Sequence, residues 1–264
     1  MKLDWSHEKV LIGVIHLLPL PGAPRFRGGS QPIVDSAVAD AIAYEKGGAS
    51  AVIIENFGDV PFTAGAVAPE AIAGMARAGA AVRAAIQLPV GFNVLRNDAR
   101  AALGLAAACE GSFIRVNVHT GAMLTDQGII QGNAYETVRV RAQLCPQTQI
   151  LADVHVKHAV PLGGESLQDA ARDAWERGQA DALIVSGAGT GLPALAADAE
   201  SVREICPDAP ILIGSGFAAE NAREFLPWIN GAIVGSSLKK NGRLKNPVDA
   251  ARVKALVRVM RGLS

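Results

Sequence analysis

Apolar and polar residues in this chain come in blocks, and the blocks keep a regular order. Eight short stretches are mostly apolar and rich in β-branched residues: positions 10–17, 51–55, 90–95, 113–118, 150–156, 182–186, 211–213 and 232–234. With no strict in–out alternation, they read as parallel strands buried on both faces. Between them the apolar spacing becomes helical. It predicts helices over 32–46, 70–86, 99–109, 134–144, 166–177 and 198–205, a short one between the last two strands, and a closing one over 248–261. Gly47-Gly48 stops the first helix, and Ser166 with Asp169 has N-cap spacing. Eight strand–helix units without a linker predict one α/β domain over residues 1–264, a (β/α)8 TIM barrel. A doubly wound open sheet has a similar element order, but the turns closing the last two strands favour a barrel.

The polar residues concentrate where those strands end, the face of a barrel that carries chemistry. His16 ends the first strand, Glu55-Asn56 the second, and Asn93 lies near the end of the third. Arg115, Asn117 and His119 alternate along the fourth, and Asp153, His155 and Lys157 along the fifth. Residues two apart share a strand face, so each trio is expected to face one way. Charge inside a parallel sheet must be paired or face a polar cavity. A buried structural network is the plainer reading for Arg115 and Asn117.

Glu55, Asp153 and His155 are the catalytic candidates, an acid/base set expected to open onto one cavity. Asn93, Asn117 and Lys157 are candidates for orienting hydroxyls or developing negative charge, and His16 and His119 complete the substrate-binding set. Lys157 also has Schiff-base chemistry open to it if desolvated. Glu55, Asp153, His155 and His119 form an alternative divalent-metal set that lacks a compact metal motif; no metal or other cofactor is expected.

Small residues follow the last three strands. Ser186 leads into Gly187, Gly189 and Gly191; the seventh strand ends in Gly214-Ser215-Gly216, and the eighth in Gly235-Ser236. One such turn is ordinarily only a turn. Two in consecutive strands, with a short helix between them, are the phosphate corner of many barrels, where glycine lets backbone N–H groups approach an anion. The segment 120–128 is long enough to fold over a ligand as a lid.

Composition narrows the partners. Lys plus Arg and Asp plus Glu number 25 each, and no basic stripe with aromatics appears, which argues against nucleic acid. Cys109, Cys145 and Cys206 suggest neither a disulfide framework nor a zinc cluster. A polar N-terminus and no long apolar run predict a cytoplasmic protein without a transmembrane segment. Peripheral membrane association and a homo-oligomer remain compatible with the sequence.

Several segments carry a resemblance. GVIHLLPLPG, IIENFGDVPF, GFNVLRNDARAAL, IRVNVHTGAMLTDQGII and LADVHVKHAVPL resemble the BtpA/SgcQ family along nearly the whole chain. That resemblance implies a ribulose-phosphate-binding type of barrel. It also carries an association with photosystem I biogenesis for cyanobacterial members and with sugar-metabolism operons for others. The glycine loops are similar to those of the tryptophan synthase α-subunit, whose indole-pocket pattern is otherwise missing. The expected function is an enzyme using acid/base chemistry on a small phosphorylated metabolite, a phosphosugar or a phosphoribosyl or nucleotide-derived compound. Isomerase, epimerase, lyase and glycosyl-hydrolase chemistry all fit such a site. The alternative is a non-catalytic assembly factor for a membrane complex.

Overall fold

The structure is a computed structural model and describes residues 2–156, 158–187 and 194–262. Its core is a closed barrel of eight parallel strands: β1 (Val10–His16), β2 (Ala51–Glu55), β3 (Val90–Asn93), β4 (Phe113–Val116), β7 (Gln149–Asp153), β9 (Ala182–Val185), β10 (Ile211–Ile213) and β11 (Gly231–Val234). They pair in sequence order, and β1 closes the ring by pairing with both β2 and β11. The helices flank them: α1 (Gln31–Gly47), α2 (Pro69–Ala85), α3 (Ala99–Ala108), α4 (Ala134–Leu144), α5 (Leu167–Arg172), α6 (Ala196–Ile205), α7 (Ala222–Phe225) and α8 (Ala250–Met260). Local chemistry fixes several of their starts. The side chains of Asp98, Asn133, Ser166 and Asp249 each accept a backbone N–H in the first turn of their helix.

Strand burial on both faces follows from two separate cores. Val10, Ile12, Val14, Ala51, Ile53, Phe113, Leu151, Ala182, Ile184, Leu212 and Ile233 fill the lumen, joined from below by Leu3. The intervening residues, such as Leu11, Ile15, Val52 and Ile54, pack outward against the helices. Leu3 is tied in by Gln149, whose side-chain oxygen accepts its N–H at 2.7 Å.

Two elements depart from the sequence reading, the first of them on the cavity side. Segment 120–128 opens a small antiparallel sheet of β5 (Ala122–Thr125), β6 (Gly128–Gln131) and β8 (Ala159–Pro161). A two-residue turn at Asp126-Gln127 makes the hairpin, with Gly128 at φ +99°. The helix expected over 166–177 is α5 followed by a π-helical turn, Asp173–Arg177. Among the described residues, no helix is long and apolar enough to cross a membrane.

Candidate active site

Apart from Gln149 at the start of β7, the inward positions of the barrel strands are apolar or glycine until one level near the C-terminal end. There they change character together. Two residues beyond Val14, Ile53, Phe113, Leu151, Ile184, Leu212 and Ile233 come His16, Glu55, Arg115, Asp153, Ser186, Gly214 and Gly235. On β3 the same step leads from Gly91 to Asn93. The register aligns them directly, with His16 opposite Glu55 and Glu55 opposite Asn93. Strand period thus converts eight short sequence ends into one layer of six polar side chains and two glycines.

Arg115 is the hub of this layer. Its Nε and Nη2 donate to the two oxygens of Asp153 at 2.9 and 3.0 Å, and its Nη1 lies 3.5 Å from Glu55 Oε1. Asp153 also accepts from Asn117 Nδ2 at 2.9 Å and Ser186 Oγ at 3.1 Å. Asn93 donates to Asn117 Oδ1 and to the Arg115 carbonyl, which fixes its amide orientation and leaves its buried Oδ1 without a partner among the described residues. Glycine at 214 makes the hub possible. A Cβ there would sit 2.7 Å from Ser186 Oγ and 3.4 Å from Arg115 Nη2.

Above the layer lies a cavity of about 1030 Å³. Glu55, His16, Asn93, Asn117, Arg115 and Arg96 line its polar side, and Ser215, Gly216, Ser236 and Ser237 its rim. Asp126, Gln127 and Val160 of the antiparallel sheet also border it, so the segment expected as a lid forms part of its wall.

Glu55 differs from Asp153 in its freedom. Burial raises its pKa above the ordinary 4.5; Arg115 opposes the rise, and Asp153 adds to it. His16 is pushed the other way, to about 3, chiefly by burial and secondly by the Lys239 ammonium. Lys239 is itself buried and paired with Asp40. The imidazole is therefore neutral, with Nδ1 unpartnered among the described residues and its ring against Gly235, where a Cβ would fall 2.6 Å from His16 Cε1.

The expected residues divide. Glu55, His16, Asn93 and Asn117 meet at the cavity, as do Gly214, Ser215, Gly216, Gly235 and Ser236. Asp153 is beneath it, its side chain fully enclosed. His155 and His119 depart from the expected shared faces because β7 ends at Asp153 and β4 at Val116, so the two-residue alternation stops short of them. His119 packs outward, its Nε2 bonded to the Gly178 carbonyl at 2.8 Å. The pKa of His155 is lowered by burial against the pull of Asp198, and the ring is outside the cavity lining. Gly187 is buried beyond β9, away from the lining. Lys157, Gly189 and Gly191 lie outside the described residues. Among the described residues, no group of three or more His, Cys, Asp or Glu side chains is placed to hold a metal. Arg115 and Asn117 lie in a buried hydrogen-bonded network, the plainer of the two sequence readings; that reading missed Ser186 as its support and Arg96 in the cavity wall.

Comparison with known proteins gives the geometry a family. The photosystem I biogenesis protein BtpA of Synechocystis sp. is 43% identical over 255 residues, covering 97% of this chain and 88% of that protein. The putative sgc region protein SgcQ of Escherichia coli is 34% identical over 249 residues, covering 93% of this chain and 92% of its own. Among solved structures, phosphoribosyl anthranilate isomerase from Thermococcus kodakaraensis superposes with a TM-score of 0.59 at 15% identity, covering 97% and 99% of the two chains. That likeness shows a shared barrel fold. The BtpA family model matches residues 7–262, and this chain belongs to the BtpA family.

Proposed function

We propose that this protein is an enzyme that uses acid/base chemistry on a small phosphorylated metabolite, a phosphosugar or a phosphoribosyl or nucleotide-derived compound. The observation that carries the reading is Glu55: a buried carboxyl with a raised pKa, facing a cavity whose rim is two glycine- and serine-containing turns. In this reading Glu55 takes and returns the proton. Arg115, locked by Asp153, stabilises negative charge that develops beside it. Asn93 Oδ1 accepts a substrate hydroxyl, since its amide hydrogens are already committed. Asp153 holds Arg115 in position, and His155 takes no part at the cavity. The turns at Gly214-Ser215-Gly216 and Gly235-Ser236 hold the phosphate through backbone N–H and hydroxyl groups, and Gly187, Gly189 and Gly191 stay candidates for the same role. Lys157 stays a candidate for the substrate's negative charge.

Two variants test this. Glu55→Gln keeps shape and removes the titrating group, so turnover of a phosphorylated substrate falls about 10²–10⁴-fold; a loss under about tenfold contradicts the role. Gly216→Asp sets a carboxylate at the rim and abolishes binding of inorganic phosphate and ribose 5-phosphate. Unchanged binding by that folded variant places the phosphate elsewhere.

One observation favours a second reading, assembly of a membrane complex. Ile129, Leu124 and Val160 are directly opposed across the antiparallel sheet and are 53%, 51% and 64% exposed, an apolar row of the kind a docking surface needs. Binding to phospholipid vesicles that Leu124→Glu abolishes, with turnover untouched, favours that role.

A further inference from the structure

The β2 side of the cavity is aromatic, and proton transfer gives that wall nothing to do. Phe57 and Phe62, from the loop after β2, line it with ring centroids 6.5 Å apart at 60°. His16 meets Phe57 in an edge contact, 4.8 Å between centroids at 72°. Because His16 is held neutral, this wall presents rings and no cation.

Phe57 nevertheless remains 37% exposed, and the loop holds it there. Asn56 clamps the strand end, accepting from the Leu95 N–H at 2.7 Å and donating to the Leu95 carbonyl at 3.3 Å. Asp59 accepts from the Leu20 N–H at 2.8 Å. Between them Gly58 passes so close to the segment after β1 that a Cβ would lie 2.5 Å from Pro19 N. Phe57 is thus fixed with apolar surface open to the cavity, the pattern of a preformed ligand wall. Val156 and Val160 add further apolar lining. The cavity, about 1030 Å³, is at the top of the ~300–1,000 Å³ range of small-ligand sites, more than a phosphate and a short polyol fill.

We infer that the phosphorylated substrate carries a flat unsaturated ring that packs against Phe57. The inference rests on the phosphate reading above and adds the chemical class of the other end. Phosphate sits at the rim turns, hydroxyls reach Asn93 and Glu55, and the ring occupies the Phe57–Phe62 wall. Face or edge contact with an aromatic side chain gives such a ligand about tenfold in affinity beyond simple apolar burial.

Calorimetric titration with five probes tests it: inorganic phosphate, ribose 5-phosphate, adenosine, adenosine 5′-monophosphate and cytidine 5′-monophosphate. The expected result is that at least one nucleotide binds about tenfold tighter than ribose 5-phosphate. Phe57→Ala then erases that margin and leaves ribose 5-phosphate and inorganic phosphate unchanged. If neither nucleotide exceeds ribose 5-phosphate, or if Phe57→Ala weakens all phosphorylated probes alike, the ring inference is overturned. Adenosine separates it from the reading it rests on. Adenosine that binds in a Phe57-dependent way, with no gain from the 5′-phosphate, keeps the ring wall and removes the phosphate site.

Discussion

Two carboxylates stand at the same end of the barrel and share one arginine, yet their surroundings make them different groups. Asp153, at the end of β7, receives four hydrogen bonds, two from Arg115 and one each from Asn117 and Ser186, and none of its side chain reaches solvent. Glu55, at the end of β2, meets the same guanidinium at 3.5 Å and turns to the cavity. Asp153 is a fixed counter-charge with every lone-pair direction occupied. Glu55 is enclosed enough for burial to penalise its charge and loose enough to exchange a proton. Charge type and strand position alone do not assign roles; the hydrogen-bond inventory around each group does.

The largest effect that sharpens the comparison is on stability. Asp153→Asn leaves Glu55 as the one carboxylate beside the Arg115 guanidinium among the described residues, and removing one partner of a buried ion pair costs about 3 kcal/mol. Chemical denaturation at neutral pH should show that loss. A variant within about 0.5 kcal/mol of wild type would mean that Asp153 is not the anchor of the layer.

His16 supplies the next effect. Its pKa falls from 6.5 to about 3 on folding, so the unfolded chain binds the proton first as pH drops. The stability this neutral ring contributes is complete above pH 6.5 and is lost as pH falls toward 3. His16→Phe keeps a ring against Gly235 and Phe57 and removes the titration. The variant should therefore gain about 1.6 kcal/mol relative to wild type between pH 6.5 and 5. A pH-independent difference would contradict a buried, neutral imidazole.

Much of this layer was legible in the sequence, and the part that was not has a physical reason. Eight apolar runs ending in polar or small residues give the barrel, and β2 and β10 have the bounds expected of them. Glu55, His16 and Asn93 follow because each is within or at the end of a regular strand. His119 and His155 do not, because period-two alternation holds only while the backbone stays extended, and both lie beyond the last paired residue. The antiparallel sheet escaped because its strands are three or four residues long, and β8 comes from a distant loop and includes Pro161. Its hairpin signal is local; its third strand is a tertiary pairing. Nor does sequence spacing reveal that Arg115 belongs to both carboxylates, since Glu55 and Asp153 come from strands on either side of it in the ring.

The smallest stability effect belongs to Glu55, and its sign separates it from Asp153. A carboxyl whose pKa is raised on folding contributes fully when protonated and loses ground as pH rises through its folded value. Glu55→Gln should therefore match wild type near pH 4 and become relatively more stable toward pH 7, by less than about 1 kcal/mol with Arg115 in place. Thermal melts of the two proteins across that range report the difference. Relative destabilisation at pH 7 would make Glu55 a second anchor like Asp153.

The most direct test of the central claim is the titration of the Glu55 carboxyl itself, followed by carbon NMR of protein with labelled glutamate side chains and assigned by the signal missing from Glu55→Gln. A midpoint above 4.5, the ordinary glutamate value, is expected in the folded protein. A midpoint at or below 4.5 would show that Arg115 outweighs burial, leaving Glu55 a permanent anion and not the group that carries the proton.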